Sequence, residues 1–170
     1  MLFRSPKGER DAGHLGDRLR GGVYATVLTS PSVRARRTAE LAGYGAVAKV
    51  VDDLAEWDYG AYEGRITSDI QAEQPGWIVF RDGCPGGESV DDIAARADRV
   101  VSRLRASNGD VLVFSSGHFL RSLAARWCGL PISHGRFFYL STAAVNLLGY
   151  DHALDEPIIR LWNDTRHVGE

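Results

Sequence analysis

Asp110-Val111-Leu112-Val113-Phe114-Ser115-Ser116-Gly117-His118-Phe119-Leu120 carries two structural signals back to back. Residues 110–114, apolar and β-rich after Asp110, show the pattern of a buried strand. A small polar turn follows at once. Phe119, Leu120, Leu123, Ala124, Trp127 and Cys128 then share one face of a helix that stops at Gly129, before Pro131. The same order of signals occurs earlier in the chain. Residues 24–28 read as a buried strand, and Ser30-Pro31 as the opening of a helix that closes at Gly43. Strand–turn–helix units of this kind predict an α/β layered fold, in which sites lie beyond the carboxyl ends of the strands. Two segments hold that location: Ser30-Pro31-Ser32-Val33-Arg34 and Ser115-Ser116-Gly117-His118.

The remaining elements extend this pattern in both directions. Ser5-Pro6 predicts a helix start, with Ala12, Leu15 and Leu19 at helical spacing and Gly21-Gly22 as its stop. Residues 46–51 suggest a further strand, and residues 66–80 a helical patch broken at Pro75-Gly76. Ser89 with Asp92 forms a capping-box signature, ahead of an apolar face of Val90, Ile93, Ala94, Ala97, Val101 and Leu104. Residues 145–149 and 158–162 are late strand candidates. No repeat, low-complexity tract or Pro/Ser-rich linker divides the chain, so residues 1–170 are expected to form one domain.

Composition narrows the classes. Twenty Lys+Arg against 22 Asp+Glu leave a net charge of −2, which argues against a general nucleic-acid binder. No apolar run approaches the roughly 20 residues that span a bilayer, so no membrane association is expected. Cys84 and Cys128 stand far apart without metal-site spacing, which argues against a disulfide framework and a structural zinc. Together with the lack of a visible secretory leader, this points to a cytoplasmic protein. Lys7 and Lys49 are the only lysines, so 18 of the basic residues are arginine, a bias that reads as codon usage or, at some positions, as planar forks matched to phosphate.

Position supplies the candidate site residues. Arg34 lies near the first turn of a helix that follows a strand, where free amides and the helix dipole favour an anion; the same residue also reads as a solvated helix arginine. Glu56 sits beside Trp57 and Tyr59, surroundings that can raise a carboxyl pKa as a general acid requires, or it is an exposed loop glutamate. Glu63 and Glu88 are rival acids. Ser116 and His118 occupy a strand-to-helix turn. The G-x-S-x-G pattern is not met there, since position 114 is Phe and position 118 is His, so a serine hydrolase ranks last. His118 fits a phosphate donor or a helix cap.

Taken together, five collinear stretches resemble the histidine phosphatase superfamily in its phosphoglycerate-mutase-like branch. They are residues 5–10, 28–40, 54–64, 84–89 and 111–121, and the Trp162-Asn163-Asp164 ending is also similar. Within the family, Glu56-Trp57-Asp58-Tyr59-Gly60-Ala61-Tyr62-Glu63-Gly64 and Gly83-Cys84-Pro85-Gly86-Gly87-Glu88-Ser89 look most like sugar-phosphate phosphatases, including sedoheptulose-bisphosphatase-like members. The resemblance implies a three-layer αβα fold and a metal-independent phosphomonoesterase without cofactors, acting on a small phosphorylated metabolite through a phosphohistidine. It assigns Arg34 to the phosphate clamp and Glu56 to proton donation, with Tyr59 and His118 lining the pocket.

Two departures set a further expectation. The family opens with a central strand ending in Arg-His-Gly, whose histidine attacks phosphorus, and that segment of roughly 30 residues has no counterpart before Ser5. The second catalytic histidine falls at position 116, which is serine. Without a nucleophile there is no covalent route. Loss of one transition-state donor alone costs about 10²–10³ in rate. The expectation is therefore an impaired phosphatase, or a non-catalytic phosphate-ester-binding protein. The absent strand should leave an open slot, filled by rearrangement, by Met1-Leu2-Phe3, or by strand exchange in a homodimer.

Overall fold

The computed structural model of the chain describes residues 5–168. Helix α1 (Pro6–Leu19) starts as its sequence predicts, with the Gly8 amide donating to Ser5 Oγ at 3.2 Å and proline in the first turn. Three short strands, β1 (Thr26–Thr29), β2 (Lys49–Val50) and β3 (Val111–Phe114), form a parallel sheet with β1 in the middle. Thr26 to Thr29 lie opposite Val111 to Phe114 residue for residue. Strands β4 (Val145–Tyr150) and β5 (Pro157–Asp164) form a separate antiparallel pair.

Side chains alternate across the parallel sheet, and each face has its own helical layer. Val27, Leu112 and Phe114 pack with Leu15 and Leu19 of α1 and with Ala39 and Ala42, from and just after α2 (Val33–Leu41). Leu28, Val111 and Val113 face the other way. They meet Ile93, Ala97 and Val100 of α5 (Val90–Arg105) and Phe119 and Leu123 of α6 (Gly117–Trp127). Strand β4 contributes to both layers, Val145 to the first and Leu148 and Tyr150 to the second. The architecture is three-layer αβα. Among the described residues, β3 has β1 on one side and no strand on the other, and β4 pairs with β5 alone. Met1-Leu2-Phe3, expected as a plug, lies outside the described residues.

Two predicted elements change, and a third divides where its sequence predicts. The second helix is capped by Ser32 rather than opened by Ser30-Pro31. Ser32 Oγ accepts the Ala35 amide at 3.2 Å, while the Ser30 amide is still tied to Phe114 O at 2.8 Å. The 46–51 strand shrinks to two residues because Tyr44 O accepts the Val47 and Ala48 amides in a turn. The 66–80 patch divides into α3 (Thr67–Glu73) and α4 (Val79–Asp82), with Gly76 at φ +80° between them. The capping box at Ser89 and Asp92 forms as read. Among the described residues, no helix is long and apolar enough to cross a membrane.

Candidate active site

The three parallel strands end at one edge, and hydrogen bonds bind their following turns together. The Ser30 amide donates to Phe114 O at 2.8 Å, and the Val51 amide to Thr29 O at 2.9 Å. Ser115 Oγ donates to Leu54 O at 2.6 Å, joining the end of β3 to the loop that carries Glu56. The turn preceding Arg34, the Glu56 loop and the Ser115–His118 turn are thus neighbours.

Glu56 is the hinge of this arrangement. Its Oε1 accepts the Phe119 amide at 2.8 Å and the Trp57 amide at 3.0 Å, and its Oε2 accepts the His118 amide at 3.2 Å. The His118 and Phe119 amides belong to the first turn of α6, where amides have no intrahelical acceptor. Ser116 stands at the N-cap position but makes no side-chain capping bond. A carboxylate from a loop distant in sequence fills that role and complements the positive end of the helix dipole.

What holds Glu56 there is a buried arginine. Arg96 of α5 is 8% exposed; its Nη1 donates to the carbonyls of Asp53 and Ala55 at 2.9 and 2.7 Å, and its Nη2 to Glu56 O at 3.2 Å. Its Nε and Nη2 form a fork with the Glu88 carboxylate at 2.7 and 2.6 Å. The guanidinium lies 4.7 Å over the Phe119 ring. Glu88 also accepts the Asp58 amide at 3.0 Å, and its carbonyl accepts Trp57 Nε1 at 3.0 Å. The loops at 56–64 and 84–89 therefore press together at a pair of glycines. A Cβ at Gly87 would lie 2.3 Å from Asp58 O, and one at Gly60 (φ +51°) 2.3 Å from Gly87 N. The rival acids Glu63 and Glu88 thus have structural partners, Glu63 accepting the Tyr59 amide at 3.2 Å.

Tyr59 and His118 meet beside Glu56, hydroxyl oxygen to Nδ1 at 2.5 Å. Burial, reinforced by the Glu56, Cys84 and Glu63 charges, pushes the phenol above its ordinary range, so it keeps its proton. Burial pushes the imidazole below 6.5, with the Glu56 charge opposing and Arg121 reinforcing the shift. A protonated phenol facing a neutral imidazole donates to Nδ1, which places the ring proton on Nε2. Phe80 packs edge-on against the ring at 5.3 Å. Cys84 is no nucleophile, since burial and the Asp58, Glu63 and Glu88 charges push its thiol up to about 11.

Arg34 is exposed on the first turn of α2 and has no carboxylate within 4.0 Å among the described residues. Ser116 is partly buried. Asp151, His152 and Glu156 are close enough to share a cation but are exposed, in the β4–β5 turn. The sequence reading missed Arg96 and Ser115. The signal for Arg96 was its place inside an apolar stripe, between Ile93 and Ala97 and ahead of Val100.

Residues 5–165 match the family described as histidine phosphatase superfamily (branch 1). The chain belongs to this family. It is 43% identical over 130 residues to an acid phosphatase of Mycobacterium tuberculosis, covering 75% of this chain and 64% of the relative. It is 38% identical over 132 residues to sedoheptulose 1,7-bisphosphatase of Saccharomyces cerevisiae, covering 62% of this chain and 48% of that protein. The chain thus spans less than two thirds of the length of either relative. A solved structure of an open reading frame from Mycobacterium tuberculosis superimposes with a TM-score of 0.87 at 37% identity, covering 94% of this chain and 83% of the other. A mycobacterial glucosyl-3-phosphoglycerate phosphatase with inorganic phosphate gives 0.81 at 25% identity, with 97% and 89% coverage.

In this member of the family the Arg96 network has a measurable weight. Arg96→Met strands the Glu88 carboxylate and three carbonyls, and is expected to lower stability to urea by about 3–5 kcal/mol. Arg99→Met breaks only the more exposed pair with Asp53 and should leave the urea midpoint nearly unchanged. His118 sets a pH dependence. The unfolded chain takes up its proton near 6.5 and the folded chain only at lower pH, so the proton favours unfolding. The urea midpoint should fall as pH drops below about 6.5, and His118→Gln should flatten that slope.

Proposed function

We propose that the edge formed by Arg34, Glu56, Tyr59, Ser116 and His118 binds the phosphate of a small phosphorylated metabolite. The observation that carries this reading is the meeting of two strand-to-helix turns at one end of the sheet, one bearing Arg34 and the other spanned by Glu56. Arg34 supplies a fork without a carboxylate partner, and His118 supplies a fixed Nε2–H donor. Glu56 adjoins His118 through its bond to the His118 amide, and the family resemblance assigns it proton donation to the departing oxygen, for which it must first take up a proton. Similarity to phosphatases supports a phosphomonoester site.

In the 170 residues as written, the same reading makes hydrolysis slow. Position 116 offers a neutral hydroxyl where the family resemblance calls for an imidazole. His118, already engaged by Tyr59, does not replace an attacking histidine. A second reading, a phosphate-ester-binding protein without turnover, draws on the same serine. The serine-hydrolase reading has no support, because no histidine is hydrogen-bonded to Ser116 among the described residues.

The test uses the 170-residue chain with inorganic phosphate and p-nitrophenyl phosphate. The melting temperature should climb with ligand concentration, and Arg34→Ala should remove the response. Release of p-nitrophenol should be negligible. Adding a lead-in strand ending in Arg-His-Gly together with Ser116→His should raise it by orders of magnitude. A flat melting response that Arg34→Ala leaves unaltered contradicts the binding site. Robust metal-independent turnover by the unaltered chain contradicts the impairment.

A further inference from the structure

Strand β3 has a helical layer on each face, yet it is less covered than its neighbour β1. Val27, Leu28 and Thr29 of β1 are buried, whereas Val111, Leu112 and Val113 of β3 are only partly so. The difference lies along the outer edge of β3. The Asp110 and Phe114 carbonyls accept the Ala25 and Ser30 amides, so by strand alternation Asp110, Leu112 and Phe114 turn their backbone groups toward β1. The N–H and C=O of Val111 and Val113 therefore point away from β1, to a side where no strand pairs with β3 among the described residues. Backbone groups of this kind call for partners.

Strand β4 forms the far wall. Val145 shares a layer with Leu112 and Phe114, while Leu148 and Tyr150 share the other with Val111 and Val113, so β4 lies level with the sheet. No ladder joins it to β3, and its partner is β5. Between the start of β3 and the end of β4 opens a cavity of about 470 Å³, lined by Asp110, Leu147, Leu148 and Tyr150 among others. Leu147 is 50% exposed there.

These walls decide what fits. Amides and carbonyls in series are met by another extended backbone, and apolar layers above and below require apolar side chains on both faces of it. Charge sets its direction. Asp110 stands at the cavity with no cation within 4.0 Å among the described residues, Asp151 is shared with His152, and Arg160 is turned to Tyr150 O. A basic residue at the start of a strand parallel to β3 meets the Asp110 carboxylate. We propose that the slot between β3 and β4 is a docking site for an extended peptide supplied in trans by a partner, apolar on both faces, basic at its start and parallel to β3. Such a peptide completes the sheet, whether or not phosphate binds at its edge.

Hydrogen exchange of the 15N-labelled 170-residue chain tests it, with the synthetic peptide Lys-Lys-Val-Ile-Val-Val-Thr as probe. In the chain alone the Val111 and Val113 amides should exchange fast, and those of Leu112 and Phe114, turned to β1, slowly. Saturating peptide should slow Val111 and Val113 by about tenfold or more and leave Leu112 and Phe114 within about twofold. Lys-Lys-Val-Pro-Val-Pro-Thr, which keeps the charge but loses ladder donors, should produce no slowing. The reversed peptide, Thr-Val-Val-Ile-Val-Lys-Lys, should bind about threefold more weakly or worse, and Asp110→Asn, at an exposed position, should narrow that difference. Absence of slowing with the first peptide, equal binding of the forward and reversed peptides, or slowing by the proline peptide overturns the proposal. So does slow exchange at Val111 and Val113 without peptide, which in a monomer means that the chain fills its own slot and in a dimer that a second copy does.

Discussion

The contact between the Glu56 carboxylate and the first amides of α6 is the constraint on which the site depends. It joins a loop to a helix that begins more than sixty residues later. Carboxylate and helix terminus each satisfy a need of the other: the amides lack acceptors, and a partly buried carboxylate lacks water. Everything around it keeps the two in register. Arg96 gathers three loop carbonyls, Glu88 neutralises Arg96, Ser115 ties β3 to Leu54, and Gly60 and Gly87 let two backbones touch. Loss of any one would move Glu56 relative to His118, and so act on the site without touching a ligand.

The parallel ladder between β1 and β3 supplies the other half of the geometry. Its residue-for-residue register ends both strands at one level, so the turn leading to Arg34 and the turn leading to His118 open side by side. Binding and chemistry separate at this point. In the proposed reading Arg34 and the His118–Tyr59 pair suit recognition of an anion, whereas holding the transferring phosphoryl group calls for a second imidazole that Ser116 does not supply.

Much of this was legible in the sequence because it is local. Strand–turn–helix units, the Ser5 and Ser89 caps and the helix stop at Gly129 are written within a few neighbouring residues, and each formed. Ser30 was misread as the opening of α2 because Ser30 and Ser32 both have capping chemistry; the ladder bond from the Ser30 amide to Phe114 decides between them. The Arg96 cluster was hidden because its partners, Asp53, Ala55, Glu56 and Glu88, come together only through the tertiary fold. For the same reason Glu88 looked like a rival acid, when its carboxylate holds an arginine and an amide.

Amide-resolved NMR of the 15N-labelled chain during a phosphate titration tests the central claim most directly. The account predicts coupled shift changes, with one common affinity, at the Val33–Ala35 amides and the Gly117–Phe119 amides. Changes confined to one of these turns, different affinities at the two, or a response centred elsewhere, as at Asp151–Glu156, would contradict it.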